Sequence, residues 1–249
     1  MIRPIGHGAA ATVYLAAGPD SQPLAAKLFL PRAKSRAKRE WEVGHELHHP
    51  NINPVFDESV IDGLPVVIMG LARGLPFNLG GFSSHFRVTK VFPQLLAALA
   101  HLHGKGFVHR DVKPENLIVE RDGTARLVDF DLAGPVGEKL SPEFWVGTPA
   151  FVAPEQIEGA PSSFASDIYS AGLVLYWSLF GCLPFDGSPE EVAVAHQAHE
   201  VVLPTSLANS GLKKFLLTCL AKDPAQRFQS ASEAHAAFLA LFQGLPGNS

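Results

Sequence analysis

Residues 107 to 131 read FVHRDVKPENLIVERDGTARLVDFD and concentrate more chemistry than any other part of this 249-residue chain. Apolar runs (Phe107-Val108, Leu117-Ile118-Val119, Leu127-Val128) flank a charged cluster, and Asp122-Gly123 is a turn signal between the last two. The pattern predicts two short strands holding a polar loop at their mouth. That loop presents a carboxylate (Asp111), a cation (Lys113) and an amide (Asn116), and the hairpin brings back a second carboxylate, Asp129. A carboxylate base, a cation and two oxygen ligands for a hard divalent metal are what phosphoryl transfer requires. A salt-bridged surface loop is the plainer alternative.

The spacing argues against that alternative. His109, Arg110, Asp111, Lys113, Pro114, Glu115 and Asn116, with Asp129-Phe130 following, stand as in the catalytic loop of protein kinases. The chain resembles a eukaryotic-type Ser/Thr protein kinase of the kind also found in bacteria. The resemblance implies an α+β, bilobal kinase-like fold. Residues 1–72 would form a lobe of five antiparallel strands and one long helix, residues 73–249 a larger, mainly helical lobe, together one domain. It implies Mg²⁺ (or Mn²⁺) and ATP, transfer of the γ-phosphoryl group to Ser or Thr of protein substrates, and self-association for autophosphorylation. Asp111 would be the base, Lys113 would neutralise charge on the transferred group, and Asn116 and Asp129 would hold the metal.

Upstream, Gly6-His7-Gly8 through Val13 resembles the kinase glycine loop, with Ala11 in place of its third glycine. Glycines let backbone N–H groups approach phosphate oxygens. Lys27, embedded in the apolar run Leu24–Phe29, needs a counter-charge. By resemblance it meets the α/β-phosphates and pairs with Glu40 on a helix from about Ala33 to Leu47. Val13, Ala25, Met69, Ile118 and Val128 would surround the adenine, and Gly70, Leu71 and Ala72 would form the hinge that binds its edge. The basic run Arg32 to Arg39 reads as a solvated helix face.

Downstream, apolar residues from Phe86 to Leu102 follow a helical period, with a kink expected at Pro93. Gly147 to Glu155 resembles the peptide-positioning segment, in which Thr148 would bond to Asp111 and Lys113. Glu155 is expected to pair with Arg227, and Asp167 to anchor the catalytic-loop backbone. The resemblance also implies that Arg110, placed before Asp111, goes with activation by phosphorylation of the following segment: Ser141 is the candidate, and Glu138 or Glu143 as a built-in anion is the alternative.

Two departures from the family pattern carry expectations. Gly44, one turn after Glu40, should leave a packing gap and a loosely held helix. Asp131 replaces the glycine after Asp-Phe, should restrict that segment and adds a carboxylate near the metal. These motivate the alternative of a catalytically weak, nucleotide-binding scaffold. His45-Glu46-Leu47-His48-His49 also satisfies a zinc-protease pattern, but Pro50 disfavours helical geometry at its second histidine.

With 20 Lys+Arg against 24 Asp+Glu the net charge is −4, which gives no electrostatic case for nucleic acid or an anionic membrane. Cys182 and Cys219 show no metal spacing and read as small core residues in a reduced setting. No signal peptide is apparent, so a cytoplasmic location is expected. The uncharged run Ile168–Phe185 is long enough for a membrane span, yet its Ser, Gly and Pro content favours a buried core helix.

Overall fold

Short apolar runs separated by Gly and Pro turns build the first third of the chain. A computed structural model, which describes residues 2–139, 149–204, 207 and 211–243, contains β1 (Arg3–His7), β2 (Ala11–Ala17), β3 (Pro23–Phe29), α1 (Lys34–Gly44), β4 (Val55–Ile61) and β5 (Leu64–Gly70). The five strands form one antiparallel sheet in the order β1-β2-β3-β5-β4. Side chains alternate across a strand, so Ala25, Lys27 and Phe29 share one face and Ala26 turns to the other. Ala25 and Phe29 pack with Val55, Val67, Met69 and Ala37 of α1, whereas Ala26 joins Ala16 and Val66.

α1 ends at Gly44, three residues short of the expected Leu47. The expected gap at Gly44 is absent. Val55 of β4 fills it, and a Cβ on Gly44 would lie within 3.0 Å of the Val55 Cβ. Glycine at this position therefore lets helix and strand approach closely.

The rest of the chain comprises β6 (Gly74–Pro76), α2 (Ser84–Phe86), α3 (Phe92–Gly104), β7 (Phe107–Val108), β8 (Leu117–Glu120), β9 (Ala125–Leu127), β10 (Gly134–Pro135), α4 (Pro154–Ile157), α5 (Phe164–Phe180), α6 (Pro189–Ala198), α7 (Gly211–Cys219) and α8 (Ala231–Ala240). Between α2 and α3 lies a π-helical turn, Arg87–Val91, closed by the Phe92 N–H on the Arg87 carbonyl. Proline has no N–H to donate, and this wide turn directly before Pro93 stands where the sequence led to a kink. The β8–β9 hairpin forms as expected. The two strands that flank the charged loop, however, are not partners: β7 pairs with β10, and β8 lies between β6 and β9.

α5 is buried almost along its whole length and forms one core with α3, α7 and α8 through Phe92, Leu95, Leu99, Phe215 and Phe238. Each such side chain contributes about 1.5–3 kcal/mol through burial. The helix stops at Gly181: its N–H still bonds to the Trp177 carbonyl, and its left-handed φ of 73° turns the chain out of the helix. Among the described residues no helix is long and apolar enough to cross a membrane. Cys219 is buried in this core, but Cys182 is exposed, because it follows the end of α5 rather than lying inside it.

Glu155 and Arg227 pair as expected, with two contacts of 2.7 and 2.9 Å, and Arg227 is buried. Arg227→Met would strand the Glu155 carboxylate and should lower stability by about 3–5 kcal/mol, measurable as a urea midpoint shift. Gly44→Ala should cost about 1–3 kcal/mol by overpacking against Val55. The double variant Gly44→Ala/Val55→Ala should recover part of that loss, which calorimetry can check.

Candidate active site

A cleft of about 1290 Å³ runs between the five-stranded sheet and the β6-β8-β9 sheet. Gly6, Gly8, Val13, Ala25, Lys27, Glu40, Met69, Gly70, Leu71, Ala72, Asp111, Lys113, Asn116, Ile118, Val128 and Asp129 all line it. Of the residues singled out in the sequence, Thr148 lies outside the described residues, as do Ser141 and Glu143.

Lys27 projects from β3 into the back of the cleft, where its ammonium meets Glu40 Oε2 at 2.5 Å and Asp129 Oδ1 at 2.6 Å. Burial works against the charge, but Asp129, Glu40 and Asp131 outweigh it and raise the lysine pKa well above its ordinary value. Burial likewise opposes the Asp129 charge, yet Lys27 brings that carboxyl down to about 2. Burial pushes the Glu40 carboxyl up, opposed by Lys27 and by the Phe130 N–H, which donates to Glu40 Oε1 at 3.2 Å. One glutamate thus ties α1 to both the sheet and the Asp129-Phe130 segment.

On the opposite wall, Lys113 Nζ lies 2.9 and 2.7 Å from the two Asp111 carboxylate oxygens. Asn116 Nδ2 donates to the Asp111 carbonyl at 2.8 Å and to Asp111 Oδ2 at 2.9 Å. Burial opposes the Lys113 charge, but Asp111 holds its pKa above the ordinary value. The loop is fixed from below by Asp167, in the first turn of α5. This buried carboxylate accepts the His109 N–H at 2.7 Å, the Arg110 N–H at 2.9 Å and His103 Nε2 at 3.0 Å. Arg110 (φ 70°) and Asp129 (φ 69°) adopt left-handed backbone, which costs side-chain-bearing residues about 1–3 kcal/mol and collects at functional sites. His109 is fully buried, and burial lowers its pKa. Nε2 donates to the Val128 carbonyl at 3.3 Å and Nδ1 accepts the Asp111 N–H at 3.3 Å, so its partners select one neutral tautomer.

The donor set fits a triphosphate and a hard cation. Asn116 commits its nitrogen to Asp111, which leaves Oδ1 as the ligand atom it can offer, and Asp129 supplies a partly exposed carboxylate. Neither Gly6 nor Gly8 is required by the fold: a Cβ there meets nothing closer than 3.7 Å, and φ is not left-handed. The oxygens of Glu40, Asp129 and Asp131 converge within 4.8 Å. The Lys27 ammonium already serves that cluster.

One reading of the sequence needs correction, and two others gain a structural basis. The basic run is only partly a solvated face. Lys38 is solvent-exposed and pairs with Glu42, but Arg36 reaches Asp131 at 3.6 Å and Arg39 reaches Glu138 at 2.6 Å. Positions 36, 39 and 40 fall on one side of a helix, the side that faces the cleft, so the spacing to Glu40 was the available signal. Asp131 is 5 % exposed and is held by Lys27 and Arg36, each at 3.6 Å. Its φ lies outside the left-handed region, so no glycine is required there. The zinc pattern is dismantled: His45 bonds to the Trp41 carbonyl and stacks on that ring, while His49 stacks on His101 and accepts the Asn51 N–H. Asn53 was missed altogether; its Nδ2 donates to the Gly70 carbonyl at 3.0 Å.

The sequence profile of the protein kinase domain matches residues 1–239. The serine/threonine-protein kinase PkaB of Streptomyces coelicolor is 34 % identical over 98 % of this chain and 63 % of its own length. PknB of Mycobacterium tuberculosis is 32 % identical over 85 % of the chain and 36 % of its own length. A probable serine/threonine-protein kinase of Corynebacterium efficiens is 32 % identical over 80 % of the chain and 33 % of its own length. The chain thus spans about a third of two of these relatives and less than two thirds of the other.

Burial, then Asp129 and Glu40, raise the Asp131 carboxyl from 3.8 to about 7, against Lys27 and Arg36. An acid that binds its proton more tightly in the fold supports stability below its unfolded pKa. That support is lost as pH rises through the folded value. The native chain should therefore lose stability relative to Asp131→Asn between pH 4 and pH 7, with a constant difference above. Urea midpoints across this range test it; a pH-independent difference would refute it.

Proposed function

The chain belongs to the protein kinase domain family, and from that premise we propose that it transfers the γ-phosphoryl group of ATP to Ser or Thr hydroxyls of protein substrates, itself included. The observation that carries the reading is the meeting of Asp111, Lys113, Asn116 and Asp129 with the Lys27–Glu40 pair in one cleft. The lobes are taken to divide at about residue 72: the five-stranded sheet ends at Gly70, and the next strand, β6, pairs with β8.

In this reading Val13, Ala25, Met69, Ile118 and Val128 enclose the adenine. Both backbone polar groups of Gly70 are engaged, by the Pro54 carbonyl and by Asn53, so recognition of the adenine edge falls to Leu71 and Ala72. The backbone of Gly6 to Gly8 covers the phosphates. Lys27 holds the α/β-phosphates, and Glu40 keeps Lys27 extended into the cleft. Asn116 and Asp129 hold a divalent cation, Mg²⁺ or Mn²⁺, which when bound offsets charge on the phosphate oxygens. Asp111 accepts the proton of the acceptor hydroxyl as its oxygen attacks the γ-phosphorus, and the bond to the β–γ bridging oxygen breaks to release ADP. Lys113, already within reach of Asp111, balances charge on the transferred group. Thr148, which lies outside the described residues, is assigned to the acceptor side by the family resemblance alone.

The features that motivated a non-catalytic scaffold do not support one here. Val55 fills the space at Gly44, and the Lys27–Glu40 pair is formed. Asp111→Asn should reduce transfer from γ-labelled ATP to a general acceptor protein by at least about 100-fold, while nucleotide affinity stays within about threefold. Undiminished transfer by the variant would remove Asp111 from this role. Absent transfer by the native chain, with or without an added acceptor, would refute the activity.

A further inference from the structure

Past the Asp129-Phe130 segment, three strangers in sequence converge on one point. Arg39 comes from α1, Arg110 from the loop that carries Asp111, and Glu138 from just beyond β10. Arg39 Nη2 meets Glu138 Oε1 at 2.6 Å, and Arg39 Nη1 and Arg110 Nη1 meet Oε2 at 2.8 and 3.0 Å. The Arg110 side chain is fully buried. It also donates to the carbonyls of Leu132 and Pro135, at 3.2 and 2.8 Å. A buried guanidinium needs a counter-ion as well as carbonyls, and among the described residues Glu138 is the carboxylate that pairs with it.

The backbone is shaped to put Glu138 there. Gly137 takes φ 83° and bonds to the Ser162 carbonyl, turning the chain so that the next side chain points back. At Gly134 a Cβ would stand 2.5 Å from Arg39 Nη1, 2.6 Å from Glu138 Oε2 and 2.7 Å from Arg110 Nη1. A side chain at position 134 would have to push these three groups aside. Hydrogen bonds from Arg39, against partial burial, and then from Arg110 hold the Glu138 carboxyl down at about 2.

We propose that Glu138 is a positioning residue, a resident anion that holds α1 and the Asp111 loop in register without modification of the segment that follows. Arg39 stands one residue before Glu40 and Arg110 one before Asp111, so a single carboxylate sets the direction of both halves of the site. Ser141 phosphorylation is then dispensable. The proposal rests on the kinase reading for its rate effect but not for its effect on order.

The test compares the native chain with Glu138→Gln, Arg39→Gln, their double variant and Ser141→Ala, by two independent readouts. In transfer assays Glu138→Gln should lower kcat by at least about tenfold, with KM for ATP within about threefold, since misplacement of a catalytic group costs rate more than binding. The double variant should be no slower than Glu138→Gln alone, and phosphatase-treated Ser141→Ala should match the native chain. In hydrogen exchange, amides of residues 34–44 should exchange at least about tenfold faster in Glu138→Gln and Arg39→Gln, with α5 protection unchanged. If Glu138→Gln does not fold, Arg39→Gln, altered at a partly exposed position, reads the same network. Faster exchange in the two variants, with no transfer by the native chain, would uphold this proposal and sink the kinase reading. An active native chain with unaltered rate and exchange in both single variants would overturn it, as would loss of activity in Ser141→Ala.

Discussion

A single ammonium buried among carboxylates organises this molecule. Lys27 lies on an apolar sheet face, 7 % exposed, where an unpaired charge would be prohibitive. Its partners come from three places in the chain: Glu40 on α1, and Asp129 and Asp131 beyond the β8–β9 hairpin. The sheet, the helix and the loop segment must all be in place for the charge to be compensated. Cleft geometry and electrostatic satisfaction are therefore one requirement.

Around that centre the backbone is held where it would not rest by itself. Arg110 and Asp129 both take left-handed conformations without the freedom of glycine. The Asp167 carboxylate fixes the first through the His109 and Arg110 N–H groups, and Lys27 holds the side chain of the second. The deepest helix of the core supplies Asp167, so the hydrophobic packing of α5 is transmitted directly into the loop that carries Asp111. A second polar centre, formed by Arg39, Glu138 and Arg110, repeats the arrangement. In both centres α1 contributes one arm.

Much of the site was legible because its residues lie close together in sequence or at fixed spacing. The cluster from His109 to Asn116, the carboxylate at Asp129 and the lone lysine in an apolar strand carry their chemistry in their order. The pairing of Glu155 with Arg227 was legible from the two segments that hold them. The reading of Gly44 went wrong for a physical reason. A missing side chain looks like a void in one dimension, and only the approach of Val55 from another strand shows that it is a point of close contact. Arg36 and Arg39 went unread because a run of five cations looks like a solvated face until their anions, Asp131 and Glu138, are folded onto them.

Residue types and their order settle which charged and polar groups the cleft can draw on and which strands and helices carry them. Those depend on residue type, on two-residue and 3.6-residue periods and on short-range turns, all of them local. Tertiary structure alone decided which charges meet. It gave Lys27 three carboxylates instead of one, separated β7 from β8 into different sheets and set Glu138 between two arginines. The physical reason is that ion pairing between segments some hundred residues apart depends on distance and burial, and neither exists until the chain has packed.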